Sequence, residues 1–214
     1  MHNSKNITMW IVAALFVLAG IGAKAAMTWG PATTISGDTD VSTNGTLVVA
    51  YNVGNTNVGS VTINGVPFAN SGAAGAGLSS GAEYGGFGVA AAPFNTLSAN
   101  YQQMLTYACY GASPTLTLSG LTPGHTYEFQ WWTDDSRQPV GGVRTTTATD
   151  TNSVTLSQHD PWAYGAVGQF ATGTFVAANS SEIISLTGSA GFLINGYQLR
   201  DMTIIPQGMI FSFH

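Results

Sequence analysis

The sequence predicts an all-β protein, two sheets packed as a sandwich with one short amphipathic helix. From residue 27 onward, apolar and polar side chains alternate with a period of two, the rhythm of a strand that buries one face. Clusters of Gly, Asn, Ser, Asp and Pro separate the short β-branched and aromatic runs, as turns separate strands. Charged residues are only 7% of the chain, but 44% is hydrophobic and 11% aromatic, so the low charge belongs to a neutral globular protein and not to a disordered one.

The first 25 residues read as a cleavable secretory leader. Residues 1–8 are polar and carry Lys5, residues 9–21 are apolar throughout, and Ala23-Lys24-Ala25 sets small residues where a signal peptidase reads them. The apolar run is shorter than the roughly 20 residues that cross a bilayer, so removal after Ala25 is expected, with no membrane span left in a secreted, extracellular chain. No cysteine follows the run to take a lipid. The mature chain of about 190 residues fits one domain, assigned to 26–204, with 205–214 as a C-terminal tail.

Nine strands are expected, at 46–52, 60–63, 114–118, 126–133, 143–149, 153–157, 168–177, 182–186 and 192–202. So many in one domain favour two packed sheets over a single open one. The Gly/Ala/Ser stretch 70–88 has few large side chains to bury and reads as a long surface loop. Beyond it Leu97, Tyr101, Met104, Leu105, Ala108 and Cys109 recur at helical spacing, with Asn95 placed to cap. This predicts a helix over 97–110 that covers the mouth or edge of the sandwich. Leu121-Thr122-Pro123-Gly124 before Tyr127 predicts a type II turn whose apolar Leu121 plugs the sandwich end while the Tyr127 hydroxyl bonds back to the turn. Cys109 is the one cysteine, which excludes an internal disulfide and reads as a small buried apolar residue on the helix.

The charge balance excludes one class of partner. Formal net charge moves from −5 to −7 when Lys5 and Lys24 leave with the leader, and the only strong bases left are Arg137, Arg144 and Arg200. Three scattered arginines cannot neutralise a row of phosphates, so no nucleic acid partner is expected.

Two loops carry the residue types of a sugar site. The strand over 126–133 ends in Trp131-Trp132-Thr133-Asp134-Asp135-Ser136-Arg137, and a later loop reads His159-Asp160-Pro161-Trp162-Ala163-Tyr164. Sugar recognition needs an aromatic plate for the C–H face of the ring and planar polar groups for adjacent hydroxyls. Trp132, Asp134, Asp135 and Arg137 supply both kinds, and His159, Trp162 and Tyr164 repeat them, so these seven residues are the candidate ligand-binding set. Convergence of the two loops at one end of the sandwich would make a binding mouth. Asp38 and Asp40 are the candidates for a structural Ca²⁺, although neither lies in an EF-hand loop. His125, His159 and His214 lack the spacing of a zinc ligand pair. Gly77-Leu78-Ser79-Ser80-Gly81 matches a nucleophile-elbow string but arises by composition inside the Gly/Ala run. Glu83, Glu128 and Glu182 have no context that pairs them as glycosidase carboxylates, so no catalytic residues are assigned.

One further set of motifs resembles a known kind of protein. Tyr101-Gln102-Gln103-Met104-Leu105, Tyr110-Gly111, the corner from Leu118 to Tyr127, Asp134-Asp135-Ser136-Arg137, Arg144-Thr145, Gly168-Gln169-Phe170 with Thr174-Phe175, and Asn195-Gly196-Tyr197-Gln198-Leu199-Arg200-Asp201 follow in an order similar to that of exported β-sandwich proteins of planctomycete- and verrucomicrobia-type bacteria. The resemblance implies a jelly-roll-like fold akin to galactose-binding-like modules and brings no single activity with it. Many such proteins end in a Pro-Glu-Pro sorting tail for the bacterial surface. The residues from Ile205 to His214 lack that motif, and release is expected in place of anchoring. The leading functional expectation is a secreted, non-catalytic carbohydrate-binding or lectin-like module with a glycan or surface polysaccharide as partner and no cofactor beyond the calcium. The alternatives are a structural surface or matrix protein that self-associates through strand edges, and a polysaccharide hydrolase or lyase.

Overall fold

The computed structural model describes residues 26–54, 59–138 and 141–203; the expected leader and tail lie outside them. In chain order the strands are β1 Thr28–Trp29, β2 Thr33–Thr34, β3 Thr46–Val53, β4 Val61–Ile63, β5 Val66–Ser71, β6 Ala82–Gly85, β7 Tyr107–Gly111, β8 Thr115–Ser119, β9 Thr126–Thr133, β10 Thr145–Thr149, β11 Ser153–Ser157, β12 Gln169–Val176, β13 Ser181–Gly188, β14 Phe192–Ile194 and β15 Gly196–Asp201. One α-helix, α1 Ala99–Thr106, stands between β6 and β7.

The large sheet runs β1-β12-β9-β15-β3-β5-β4, with β2 also on β12. Its pairs are antiparallel except β3 with β5. Against one face lie a four-stranded sheet, β11-β10-β13-β8, and a three-stranded one, β14-β7-β6. Alternation explains the layer between them. β13 buries Glu182, Ile184 and Leu186 and exposes Ser181, Ile183 and Ser185, so one face of each strand enters the core where Tyr127, Phe129, Trp131, Leu116, Leu118, Ile184 and Leu186 meet.

A second apolar layer covers the opposite face of the large sheet. There Tyr101, Met104 and Leu105 of α1 pack with Trp132, Phe68, Ile63 and Val66. The helix therefore covers a sheet face, not the mouth of the sandwich. The central strand β9, roofed on both sides, is buried from Tyr127 to Thr133, which is why TYEFQWWT shows no exposed polar face.

Several local expectations change. The helix begins at Ser98, whose Oγ accepts the Tyr101 N–H at 3.2 Å, and not at Asn95. It ends at Thr106 because the Asn195 amide takes the carbonyls of Leu105 (2.7 Å) and Tyr107 (3.1 Å), and the chain continues as β7. Cys109 is buried as expected, but on a strand, and burial pushes its thiol up to about 12. The stretch 70–88 is no bare surface loop, since it buries Ala73, Ala76, Leu78 and Phe87 and forms β6. Its residues 77–79 also seal the outer edge of β8, with Ser79 N–H on Thr115 O and Thr117 N–H on Gly77 O, both at 2.9 Å. The strand expected over 192–202 breaks at Asn195, where the chain leaves the small sheet for the large one.

The turn before β9 matches its sequence. Leu121 is buried, Gly124 has φ +86°, and the Tyr127 hydroxyl accepts the Thr122 N–H at 2.8 Å. The polar side chains of the last strand are also structural here: Arg200 donates to the carbonyls of Asn44, Thr43 and Gly45 and to Gln198 Oε1, clasping residues 43–45 to the sheet.

Candidate binding cleft

The loops after β9 and β11 meet at one end of the sandwich. The Asp135 N–H donates to the Gln158 carbonyl at 2.6 Å, the Gly165 N–H donates to Ser136 O at 2.8 Å, and the Gln138 amide reaches Trp162 O at 3.4 Å. Their side chains, however, do not form the mouth expected from sequence.

Trp132 is fully buried and presents no face to a ligand. Its indole N–H donates to the Tyr101 hydroxyl at 2.7 Å, and its ring lies edge-on to Phe68 and stacked with Phe170. Period-two alternation does send Trp131 and Trp132 to opposite faces, but both faces are roofed. Asp134 is buried as well. Its Oδ1 accepts the Gly168 N–H at 2.6 Å and its Oδ2 the Ser136 hydroxyl at 3.0 Å, while its own N–H donates to Asn195 Oδ1 at 2.6 Å. Burial holds this carboxyl well above the usual carboxylate range, and the Gly168 and Ser136 bonds offset that only in part. His159 is buried with no partner for either ring nitrogen, and burial lowers its pKa. Trp162 and Tyr164 are 42% and 58% exposed on the neighbouring loop.

Asp135 and Arg137 lead to the cavity. Asp135 is buried and takes Arg137 in a two-pronged pair, Nε on Oδ1 at 2.7 Å and Nη2 on Oδ2 at 2.9 Å. Arg144 Nη1 stands 4.0 Å from the same Oδ2. Arg137 projects from this anchor into a cleft of about 200 Å³ lined by Tyr84, Phe87, Tyr110, Arg137, Arg144, Gln158 and the backbone turn 190–193. Its guanidinium carbon lies 4.5 Å from the Phe87 ring centre and 5.6 Å from that of Tyr84.

The three aromatic rings form one edge-to-face cluster. Centroids are 5.2 Å apart for Tyr84 and Phe87, 6.0 Å for Phe87 and Tyr110, and 6.4 Å for Tyr84 and Tyr110. Strand alternation places them: β7 turns Cys109 into the core and Tyr110 outward, and β6 pairs Ala82 with Tyr110 and Tyr84 with Ala108, so both tyrosines share the outer face. They are 45% and 40% exposed. At the floor, the Gln158 amide is fixed by donating to Thr146 Oγ1 at 3.1 Å. Sequence reasoning missed Tyr84, Phe87, Tyr110, Gln158 and Arg144 as site residues, meeting Tyr110 only within a motif and Arg144 only within a motif and among the remaining bases. Two aromatics set among glycines in 83–88 were the available signal.

The calcium candidates spend their oxygens on the fold. Asp40 accepts the Ser36 N–H (2.7 Å), the Ser36 hydroxyl (2.6 Å) and the Gly37 N–H (3.0 Å), and Asp38 accepts the Ser98 hydroxyl (2.7 Å). Among the described residues no three His, Cys, Asp or Glu side chains gather as a metal site. His125 is engaged with Asp201 at 2.7 Å. No helix among them is long and apolar enough to cross a membrane.

No family model and no curated protein matches the chain. Among solved structures it is similar to the ANXUR1 extracellular domain from Arabidopsis thaliana, at 12% identity and a TM-score of 0.49, covering 74% of this chain and 49% of that one. It is also similar to a calcium binding mutant of Bacteroides uniformis beta-glucuronidase 2, at 17% identity and a TM-score of 0.46, covering 72% of this chain and 18% of that one. The chain thus spans half or less of the structures it resembles.

Proposed function

We propose that this protein is a secreted, non-catalytic carbohydrate-binding module whose ligand sits in the Tyr84/Phe87/Tyr110/Arg137 cleft. The supporting observation is the pairing of half-exposed tyrosines with fixed planar donors around one small cavity. A sugar ring has an apolar C–H face and a rim of hydroxyls, and these two surfaces call for an aromatic wall and geometrically fixed polar groups. Trp162 and Tyr164 are exposed on the loop tied to Ser136 and Gln138. Binding without turnover is favoured because Asp135, the carboxylate behind the cleft, is buried and has both oxygens engaged by Arg137. It acts as an anchor and not as a general acid. Export follows from the leader-like residues 1–25.

Glycan-array binding of the mature wild type, Tyr84→Ala and Tyr110→Ala tests this reading. Each substitution removes a stacking face and is expected to weaken binding by about tenfold or more, with the circular dichroism spectrum unchanged. Retained affinity in both variants, or no glycan bound by the wild type, would overturn it.

A further inference from the structure

We infer that the cleft takes the end of a glycan chain, a terminal sugar with one hydroxyl donating to Gln158 Oε1 and an adjacent hydroxyl accepting from Arg137. This deepens the carbohydrate-binding reading and rests on it. The observation that carries it is Gln158, a residue only 1% exposed that lines the cleft. Its backbone is spent on both sides, the N–H on Arg144 O at 2.9 Å and the carbonyl on Asp135 N–H at 2.6 Å. Its Nε2 donates to Thr146 Oγ1 at 3.1 Å and stands 3.5 Å from Gly191 O. Its Oε1 has no partner among the described residues and is not sealed from solvent, so this oxygen is the polar atom that Gln158 presents to the cleft.

Thr146 fixes which end of the amide faces a ligand. A hydroxyl carries one hydrogen, and that of Thr146 goes to Leu193 O at 3.2 Å, while its oxygen accepts the Leu193 N–H at 3.0 Å. Thr146 is fully buried and has no second hydrogen to give, so it can only receive the NH2 end of Gln158. A reversed amide would also set its oxygen against the Gly191 carbonyl. The floor therefore offers an acceptor. Apart from the hydroxyls of Tyr84 and Tyr110, it is the one side-chain acceptor among the described residues lining the cleft. An occupant that presents only a carbonyl, ether or carboxylate oxygen there leaves a buried acceptor unsatisfied, whereas a hydroxyl satisfies it.

Donor and acceptor are both positioned by Asp135. Its backbone N–H holds Gln158 and its two carboxylate oxygens hold Arg137, a pair that leaves other guanidinium N–H groups outside it. Opposite hydrogen-bonding senses within one small cleft fit adjacent hydroxyls of one ring, because each hydroxyl can donate or accept. The Tyr84, Phe87 and Tyr110 cluster meets the C–H face of that ring. A volume of about 200 Å³ is below the 300 Å³ or more of drug-sized pockets, which suits one sugar residue. The edge of that residue facing Gln158 must be unsubstituted, since a further sugar there would have to enter the floor. A chain end meets this condition, whereas an internal residue must run chain out of the cleft in two directions.

Calorimetry on the mature chain tests this with methyl glycosides of glucose, galactose, mannose and N-acetylglucosamine, with their linear di-, tetra- and hexasaccharides, and with deoxy and deoxyfluoro analogues of the glycoside that binds tightest. Affinity per chain is expected to stay within about twofold from glycoside to hexasaccharide, because only the end is held. At one ring position the deoxy and deoxyfluoro analogues should both bind about tenfold or more weaker, because fluorine cannot donate. At a neighbouring position the deoxyfluoro analogue, which keeps an acceptor, should bind tighter than the deoxy one. In Gln158→Met the first penalty should vanish, with the parent glycoside and its deoxy analogue binding alike. The wild-type ligand series needs no variant, so a misfolded Gln158→Met leaves the test standing. Affinity that climbs about tenfold or more with chain length, no ring position with the donor signature, or a donor penalty that survives in folded Gln158→Met overturns the inference while the carbohydrate reading stands. If no member of the panel binds, both fall.

Discussion

His159 is a buried imidazole without a partner, and its environment makes a pH prediction. Burial lowers its pKa in the folded state, so the unfolded chain takes up a proton first as the solution is acidified. The stability of the neutral ring is therefore fully present above about pH 6.5, the ordinary histidine value, and declines as pH falls from there toward the lowered value of the folded state. Urea denaturation between pH 7.5 and 5, with those limits bracketing that ordinary value, should show stability falling in the wild type and a shallower slope in His159→Leu. Equal slopes would mean that His159 is not the group responsible. At the same scale, the Tyr127 hydroxyl makes a predictable contribution. Tyr127→Phe removes one acceptor for a turn N–H and is expected to cost about 1 kcal/mol, whereas a change within measurement error would reduce the corner to packing alone.

Asn195 governs how the elements join. Its backbone links β9 and β3, through its N–H on Trp132 O at 3.1 Å and its O from Val53 N–H at 2.8 Å, and its side chain ends α1 and holds the Asp134 N–H. It marks the point where β14 of the three-stranded sheet gives way to β15 of the large one. Asn195→Ala strands several buried polar groups at once and is expected to cost about 3 to 5 kcal/mol by denaturant titration; a loss under about 1 kcal/mol would show that water replaces the amide. Gly168, next to this knot, has no room for a side chain, because a Cβ there would overlap the Thr133 carbonyl. These junctions explain which elements were legible in the sequence. β9 and β11 lie over the residues expected of them, because β-branched and aromatic runs bounded by turn residues mark a strand locally. β6 and β7 were hidden, since glycine-rich and alanine-rich segments carry little alternation and Tyr107 to Tyr110 also fit a helical repeat. Which period wins there is decided by the strands β14 and β6 that pair with β7.

The molecule brings its cleft together from six separate stretches of chain, and for the proposed ligand this has a thermodynamic consequence. A ligand that bridges β6, β7, the β9 exit, Arg144, Gln158 and the 190–193 turn binds only the folded state. At a hundredfold excess over its dissociation constant it should raise stability by about 2.7 kcal/mol, roughly 5 to 10 °C in melting temperature for a domain this size. A glycan that binds by calorimetry without shifting the melt would point to a site outside this cleft. The sequence by itself determined the all-β class, the strands with strong alternation and the corner before β9, because each is written in local periodicity or turn chemistry, whereas the meeting of the two polar loops was decided by the tertiary fold. Only the tertiary structure decided that Trp132 is roofed by α1 and that Asp134 is a structural knot. It also decided that the aromatic wall comes from Tyr84, Phe87 and Tyr110. Whether an aromatic side chain faces solvent depends on what packs over its strand, and that partner lies elsewhere in the chain.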